Sequence, residues 1–187
     1  MKNSKLALTL LAVAVGLIGC GEEKKPAPKQ EAKVEAPPPP SIDIKIGHVG
    51  PLTGGIAHLG KDNENGAQLA IDEANAAKIK IDGKDAKFTL IKEDDQADPK
   101  VGTTVAQKLV DAKVNGVVGH LNSGTSIPAS PIYSGAGIPV ISGSATNPKL
   151  TEQGFKTQFR VVGRDDQQGP AIASYLASNN KPKLVAI

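Results

Sequence analysis

The 187 residues include one cysteine, no tryptophan, two tyrosines and three phenylalanines. A single thiol rules out an intramolecular disulfide and any cysteine-rich metal site. The formal charge is only +3, dispersed along the chain and partly carried by N-terminal lysines. No basic cluster interleaves with aromatic residues, so nucleic acid is not expected among the partners. Long apolar runs are missing too. The longest, Leu6 to Ile18, falls short of the ~20 apolar residues that a membrane-spanning helix needs.

That short run has a different use. Lys2 and Lys5 precede it, and Leu17-Ile18-Gly19-Cys20 closes it, which is the build of a secretory leader. A small residue before a cysteine matches bacterial lipoproteins, whose cysteine is diacylated and becomes the new N-terminus. Residues 1–19 are therefore expected to be a lipoprotein signal peptide, and Cys20 a lipidation site. Acyl chains at ~0.8 kcal/mol per buried methylene would anchor the protein to a membrane, facing the periplasmic or extracellular side. Residues 20–41 hold Glu, Lys, Ala and Pro without apolar periodicity and end in Pro37-Pro38-Pro39-Pro40. Such a stretch cannot offset its ordering entropy by burial and reads as a semi-rigid tether.

From Ile42 the pattern changes. Ile42-Asp43-Ile44-Lys45-Ile46 alternates as a strand does, and His48-Val49 extends it. A helix is expected over 61–77, then a turn at Asp82-Gly83 into a strand ending near Ile91. Asp98 and Pro99 supply an N-cap and a first helical residue for a helix through Val110. Strands follow over 114–118, 138–141 and 159–162, with a short helix from Pro128 to Ser134. The spacing of strand, loop and helix predicts an α/β fold with a doubly wound, mainly parallel sheet. Ligands of such sheets gather at the carboxyl ends of the strands. A helix to about Ser178 and a strand over 183–187 come last; a strand that stops mid-run reads as the end of a fragment.

Two loops at the carboxyl end carry hydroxyls. Ser123-Gly124-Thr125-Ser126 follows one strand and Ser144-Ala145-Thr146 the next. Hydroxyls and unpaired amides there can cradle a carboxylate, or they can simply cap helices, a use for which Ser and Thr are equally suited. Catalytic patterns fail: Leu121 breaks the Gly-x-Ser-x-Gly elbow, and no phosphate-binding loop is present. His48, His58 and His120 have no partner at metal-ligand spacing. His120 near Ser123 suggests a nucleophile and base, against which stands a satisfied loop histidine. Asp94 and Asp95 read as a solvated loop that caps the next helix. No enzyme activity, catalytic residue, metal or cofactor is expected.

Several motifs occur in an order that carries a resemblance: Asp94-Asp95-x-x-Asp98-Pro99, Gly119-His120-Leu121-x-Ser123, Pro128-Ala129-Ser130, Ala145-Thr146 and Gly163-Arg164-Asp165-Asp166-Gln167-Gln168-Gly169-Pro170. Over residues 42–187 the chain resembles the leucine/isoleucine/valine-binding proteins. These are the substrate-binding components of branched-chain amino acid ABC importers, with a type I periplasmic binding fold. The resemblance implies an N-terminal lobe over 42–162, and over 163–187 a hinge crossing and the beginning of a truncated second lobe. It implies a small amino acid as ligand and an ABC permease and ATPase as partners. Position by position, Ser123 would bind the ligand carboxylate, Thr146 both carboxylate and ammonium, and Ser144 the ammonium through its carbonyl. Leu121, Asn122 and Ala145 would complete the site. Leu59 stands where the family often has a tyrosine. The same fold would also suit a ligand-sensing module, or a receptor for an amide or urea.

Overall fold

The computed structural model describes residues 39–180 together with Lys183 and Leu184. The leader, Cys20 and nearly all of the tether lie outside these residues. Within them the order is β1 (Ser41–Gly50), α1 (Ala57–Ala76), β2 (Lys80–Ile81), β3 (Lys84–Asp94), α2 (Pro99–Asp111), β4 (Gly116–Gly119), α3 (Ser123–Gly135), β5 (Val140–Ser142), α4 (Lys149–Glu152), β6 (Gln158–Arg160) and α5 (Asp165–Tyr175). A π-helical turn, Leu176–Asn180, continues α5, close to the expected helix end. The strand expected over 183–187 falls largely outside the described residues; Lys183 and Leu184 are irregular and exposed.

The strands form one sheet in the order β2-β3-β1-β4-β5-β6. All pairings are parallel except β2 with β3. That hairpin turns at Asp82 and Gly83, with φ of 50° and 75°, the paired left-handed conformations of a two-residue turn that follows strand twist. Chain order reverses between β1 and β4, which places the topological switch point there.

Register assigns the two faces. Gly47, Val49, Val117, Val140 and Ser142 share one face through the pairs Gly47↔Val117 and Val117↔Val140. Against it pack α2 and α3, and Val49, Val105, Ala106, Leu109, Val117, Ala129, Tyr133 and Val140 form the core. Gly47 makes room for this layer: a Cβ there would sit 2.7 Å from Leu109 Cδ1. The opposite face holds His48, Lys92, Val118, Ile141 and Phe159. Helix α1 covers part of it with Gly60, Glu64, Ala67 and Ile71, spaced at helical period. A groove of about 450 Å³ beside α1, lined by Asp62, Asn63, Gly66, Ala67, Ala70 and Val118, contains none of the expected site residues.

One element differs from its sequence reading in a way that matters for the site. Helix α3 begins at Ser123, five residues before Pro128. The Asn122 carbonyl accepts from the amides of Thr125 and Ser126 at 3.1 and 2.9 Å, so the expected loop is the helix's first turn. Pro131 removes the amide that would bond the Ile127 carbonyl, and Ser130 Oγ donates to that oxygen instead at 2.7 Å.

Candidate functional site

The segments following β4 and β5 lie side by side beyond the last paired strand residues, Val118↔Ile141. There backbone pairing stops and serine hydroxyls take over. Ser142 Oγ donates to the His120 carbonyl at 3.0 Å, and Ser144 Oγ to the Leu121 carbonyl at 2.9 Å. Ser123 Oγ accepts from the Asn147 amide at 3.2 Å. Three bonds from the strand after to the strand before thus extend the parallel pairing of β4 and β5 into their loops.

Each expected residue has a place in this arrangement. Ser123 opens α3, and its hydroxyl oxygen, already holding Asn147, keeps its own hydrogen to donate. Asn122 is the N-cap residue but makes no side-chain cap bond, and its Oδ1 is buried without a partner among the described residues. Ala145 is fully packed; its amide donates to Ser142 Oγ at 2.9 Å and its carbonyl accepts from Arg160 at 3.1 Å. The Thr146 carbonyl accepts from the Asp165 amide at 3.0 Å, which ties this loop to the start of α5. Among the described residues, the amides of Ser123, Gly124 and Thr146, the Thr146 hydroxyl and the Ser144 carbonyl have no hydrogen-bond partner. Unpaired donors predominate, as the first turn of a helix provides.

Behind the loops stands a buried polar chain. His120 Nδ1 lies 2.9 Å from Asp95 Oδ2, and His120 Nε2 lies 3.2 Å from Tyr133 Oη. This corrects the reading of Asp95 as a solvated loop residue: it is 0% exposed. Burial pushes its carboxyl up, but hydrogen bonds from His120 and the Ala97 amide outweigh that and hold it below the usual range. Burial raises the Tyr133 hydroxyl well above its ordinary value, helped by the charge of Asp95. Asp94, beside it, accepts from the Leu52 and Gln96 amides at 2.8 and 2.9 Å and thereby orders the loop after β1. The His120 ring is wholly committed to this chain and does not bond Ser123, so the nucleophile-and-base pairing is not assembled.

Sequence reasoning overlooks Ser142 and Arg160, and it places Ser126 in a hydroxyl loop without giving its partners. Ser142 and Ser126 both donate to the His120 carbonyl, the latter at 3.2 Å while also reaching the Asn122 carbonyl at 2.9 Å. Arg160, on β6, donates to the Ala145 and Asn147 carbonyls and to Thr151 Oγ1. Nothing in spacing separates these from ordinary caps; only the register of β4, β5 and β6 brings them together. Among the described residues no group of His, Cys, Asp or Glu is placed to hold a metal ion.

Comparison with known proteins gives consistent matches. The model of a periplasmic binding protein family matches residues 43–187. An amino acid binding protein of Pseudomonas aeruginosa is 44% identical over 146 residues, which is 78% of this chain and 38% of that protein. A Leu/Ile/Val-binding protein of Citrobacter freundii is 41% identical over 145 residues, covering 78% of this chain and 39% of its own. This chain therefore spans well under half the length of those curated relatives. Among solved structures, the branched-chain amino acid transporter substrate binding protein LivJ from Streptococcus pneumoniae, in complex with isoleucine, aligns with a TM-score of 0.68 at 35% identity, over 75% of this chain and 39% of that one. An ABC transporter substrate-binding protein from Desulfitobacterium hafniense, in complex with Leu, aligns with a TM-score of 0.62 at 36% identity, over 73% and 39%.

Proposed function

Because this chain belongs to the periplasmic binding protein family, we propose that it is part of an extracytoplasmic solute-binding lipoprotein serving an ABC importer. Its ligand is a branched-chain or similar small amino acid, held between two lobes without covalent chemistry. Residues 42–162 supply the first lobe, and residues 163–187 the hinge crossing and the start of the second. The observation that carries this reading is the set of unpaired groups at the two loops. A zwitterion asks for donors at its carboxylate and acceptors at its ammonium. The Ser123 hydroxyl and amide with the Thr146 amide suit the carboxylate; the Ser144 carbonyl and Thr146 Oγ1 suit the ammonium. Leu121 and Asn122 line the side-chain end, and Ala145, with its polar groups spent on Ser142 and Arg160, holds the loop in shape.

The names of the relatives support the same solute class, since one is an amino acid binding protein and another a Leu/Ile/Val-binding protein. Residues 1–19 act as the signal peptide, lipidated Cys20 as the membrane anchor and residues 20–41 as the tether. Capture near the membrane then feeds a permease and its ATPase. Titration calorimetry of the full-length protein with leucine, isoleucine, valine and their amides tests the reading. One site per molecule is expected; a folded sample that releases no heat with any of them overturns it. Cys20→Ser is expected to move the protein from the membrane fraction to the soluble one.

A further inference from the structure

We propose that Ser142 is a positioning residue for the ligand, setting the distance between the loop that begins with Leu121 and the loop that carries Ser144 and Thr146. The inference rests on the proposed function for its ligand and on the hydrogen bonds of this chain for its geometry. Ser142 is 1% exposed at the end of β5, so it is not placed to meet solute. Its hydroxyl is nevertheless the junction of the site. It donates to the His120 carbonyl at 3.0 Å, accepts from the Ala145 amide at 2.9 Å and lies 3.4 Å from the Ser144 amide. One oxygen therefore folds the loop after β5 back on itself and fastens it to the end of β4.

The acceptor at the other end is held from two sides. The His120 carbonyl also receives Ser126 of the first turn of α3 at 3.2 Å, while the His120 ring is fixed by Asp95 and Tyr133. Removing the Ser142 hydroxyl leaves the His120 carbonyl partnered by Ser126, but strands the Ala145 amide in a buried setting, which is costly. The loop must then move to find water or another acceptor. The Ser144 carbonyl and the Thr146 amide and hydroxyl move with it. A pocket built from converging polar groups loses affinity when such groups shift by about 1 Å.

The test uses the full-length protein and four variants. Ser142→Ala removes the junction, and Ser142→Thr retains the oxygen on a side chain suited to a strand. Ser142→Cys retains the volume with only a weak donor and acceptor. Ser130→Ala is the control: that hydroxyl is equally buried and bonded, to the Ile127 carbonyl at 2.7 Å and from Gln153 at 2.7 Å, but touches neither loop. Leucine affinity by calorimetry is expected to fall at least tenfold in S142A, to stay within threefold of wild type in S142T and in S130A, and to lie between in S142C. S142A no weaker than S130A, or S142T as weak as S142A, overturns the proposal; if S142A does not fold, S142C at wild-type affinity does so. Failure of the wild-type protein to bind any amino acid defeats the functional reading alone. In that event the amide resonances of Ser144, Ala145 and Thr146 decide: they shift in S142A and return in S142T, and unmoved resonances sink the positioning role.

Discussion

His120 Nδ1 meets Asp95 Oδ2 at 2.9 Å with 1% and 0% of the two side chains exposed. An ionised carboxylate only accepts, so Nδ1 carries the proton, and in the neutral imidazole Nε2 is left to accept from Tyr133. Every polar atom of the ring is thereby satisfied without water. The pair joins the loop after β3 to the loop after β4, on either side of the point where strand order reverses. Breaking it by Asp95→Ala strands a buried ring N–H and is expected to cost ~1–3 kcal/mol, the range for a buried donor left without a partner. His120→Phe, which leaves the buried carboxylate without that partner, should cost more, ~3–5 kcal/mol, and the double variant clearly less than the sum, because the two residues share one interaction. Urea denaturation of the four species measures this; additive losses would show that the two side chains act separately.

Much of this architecture is legible in the sequence for a local reason. Alternation over 42–46 and the cap Asp98, whose Oδ1 takes the amides of Lys100 and Val101 at 2.7 and 3.1 Å, are signals within a few residues. The hydroxyl loops after β4 and β5 are legible as well, because topology alone puts them at one edge of the sheet. What escapes is long-range. Asp95 and His120 are 25 residues apart, so one member of an acidic pair that looks solvated, Asp95, is sealed by contacts no local window contains. The start of α3 escapes because Pro128 resembles a first helical residue, although the Asn122 carbonyl has already closed the helix's first turn.

His48 carries a pH dependence of stability. It is buried between β1 and α1 at 1% exposure, and neither ring nitrogen has a hydrogen-bond partner among the described residues, although the Val118 and Gly60 backbones stand near it. Burial lowers its proton affinity below the ordinary 6.5; the negative charge of Glu64 opposes this in part, and Lys92 adds to it. Below pH 6.5 the unfolded chain takes up a proton that the folded one refuses, so stability rises with pH in that window. It is complete above 6.5 and is lost as pH falls toward the folded value. The urea midpoint should therefore drop between pH 7.5 and 5.5, and His48→Phe should flatten the slope. Parallel slopes in the two proteins would assign the effect to other groups.

Gly60 marks where α1 crosses the loop after β1. A Cβ there would lie 2.0 Å from the Pro51 carbonyl oxygen, a backbone atom unable to step aside as a flexible side chain would. Gly60→Ala must lift the first turns of α1 away from Pro51, and overpacking of this sort costs ~1–3 kcal/mol. Gly66, on the same helix with open space around it, offers the contrast. Its exchange to alanine should stabilise by up to ~1 kcal/mol through helix propensity. Thermal melts of the two variants should shift in opposite directions, and a common direction would contradict the packing described for Gly60.

Thr146 separates the two halves of the proposed amino acid site. Thr146→Val keeps the shape, the amide and the carbonyl that holds Asp165 at 3.0 Å, and deletes only Oγ1. If that oxygen accepts from the ligand ammonium, leucine binding weakens by ~1.5–3 kcal/mol, the value of a hydrogen bond to a charged group. Ser123→Ala should weaken leucine by a similar amount from the carboxylate side, and it also releases the Asn147 amide now bonded at 3.2 Å. The ligand analogue tells them apart. With 4-methylpentanoate, which has the carboxylate and branched tail of leucine but no ammonium, Thr146→Val has no bond left to lose, while Ser123→Ala keeps its full effect. Calorimetric competition in full-length protein gives both numbers. Equal sensitivity of the two variants to the missing ammonium would mean that the Ser123 and Thr146 hydroxyls do not serve opposite charges of the ligand.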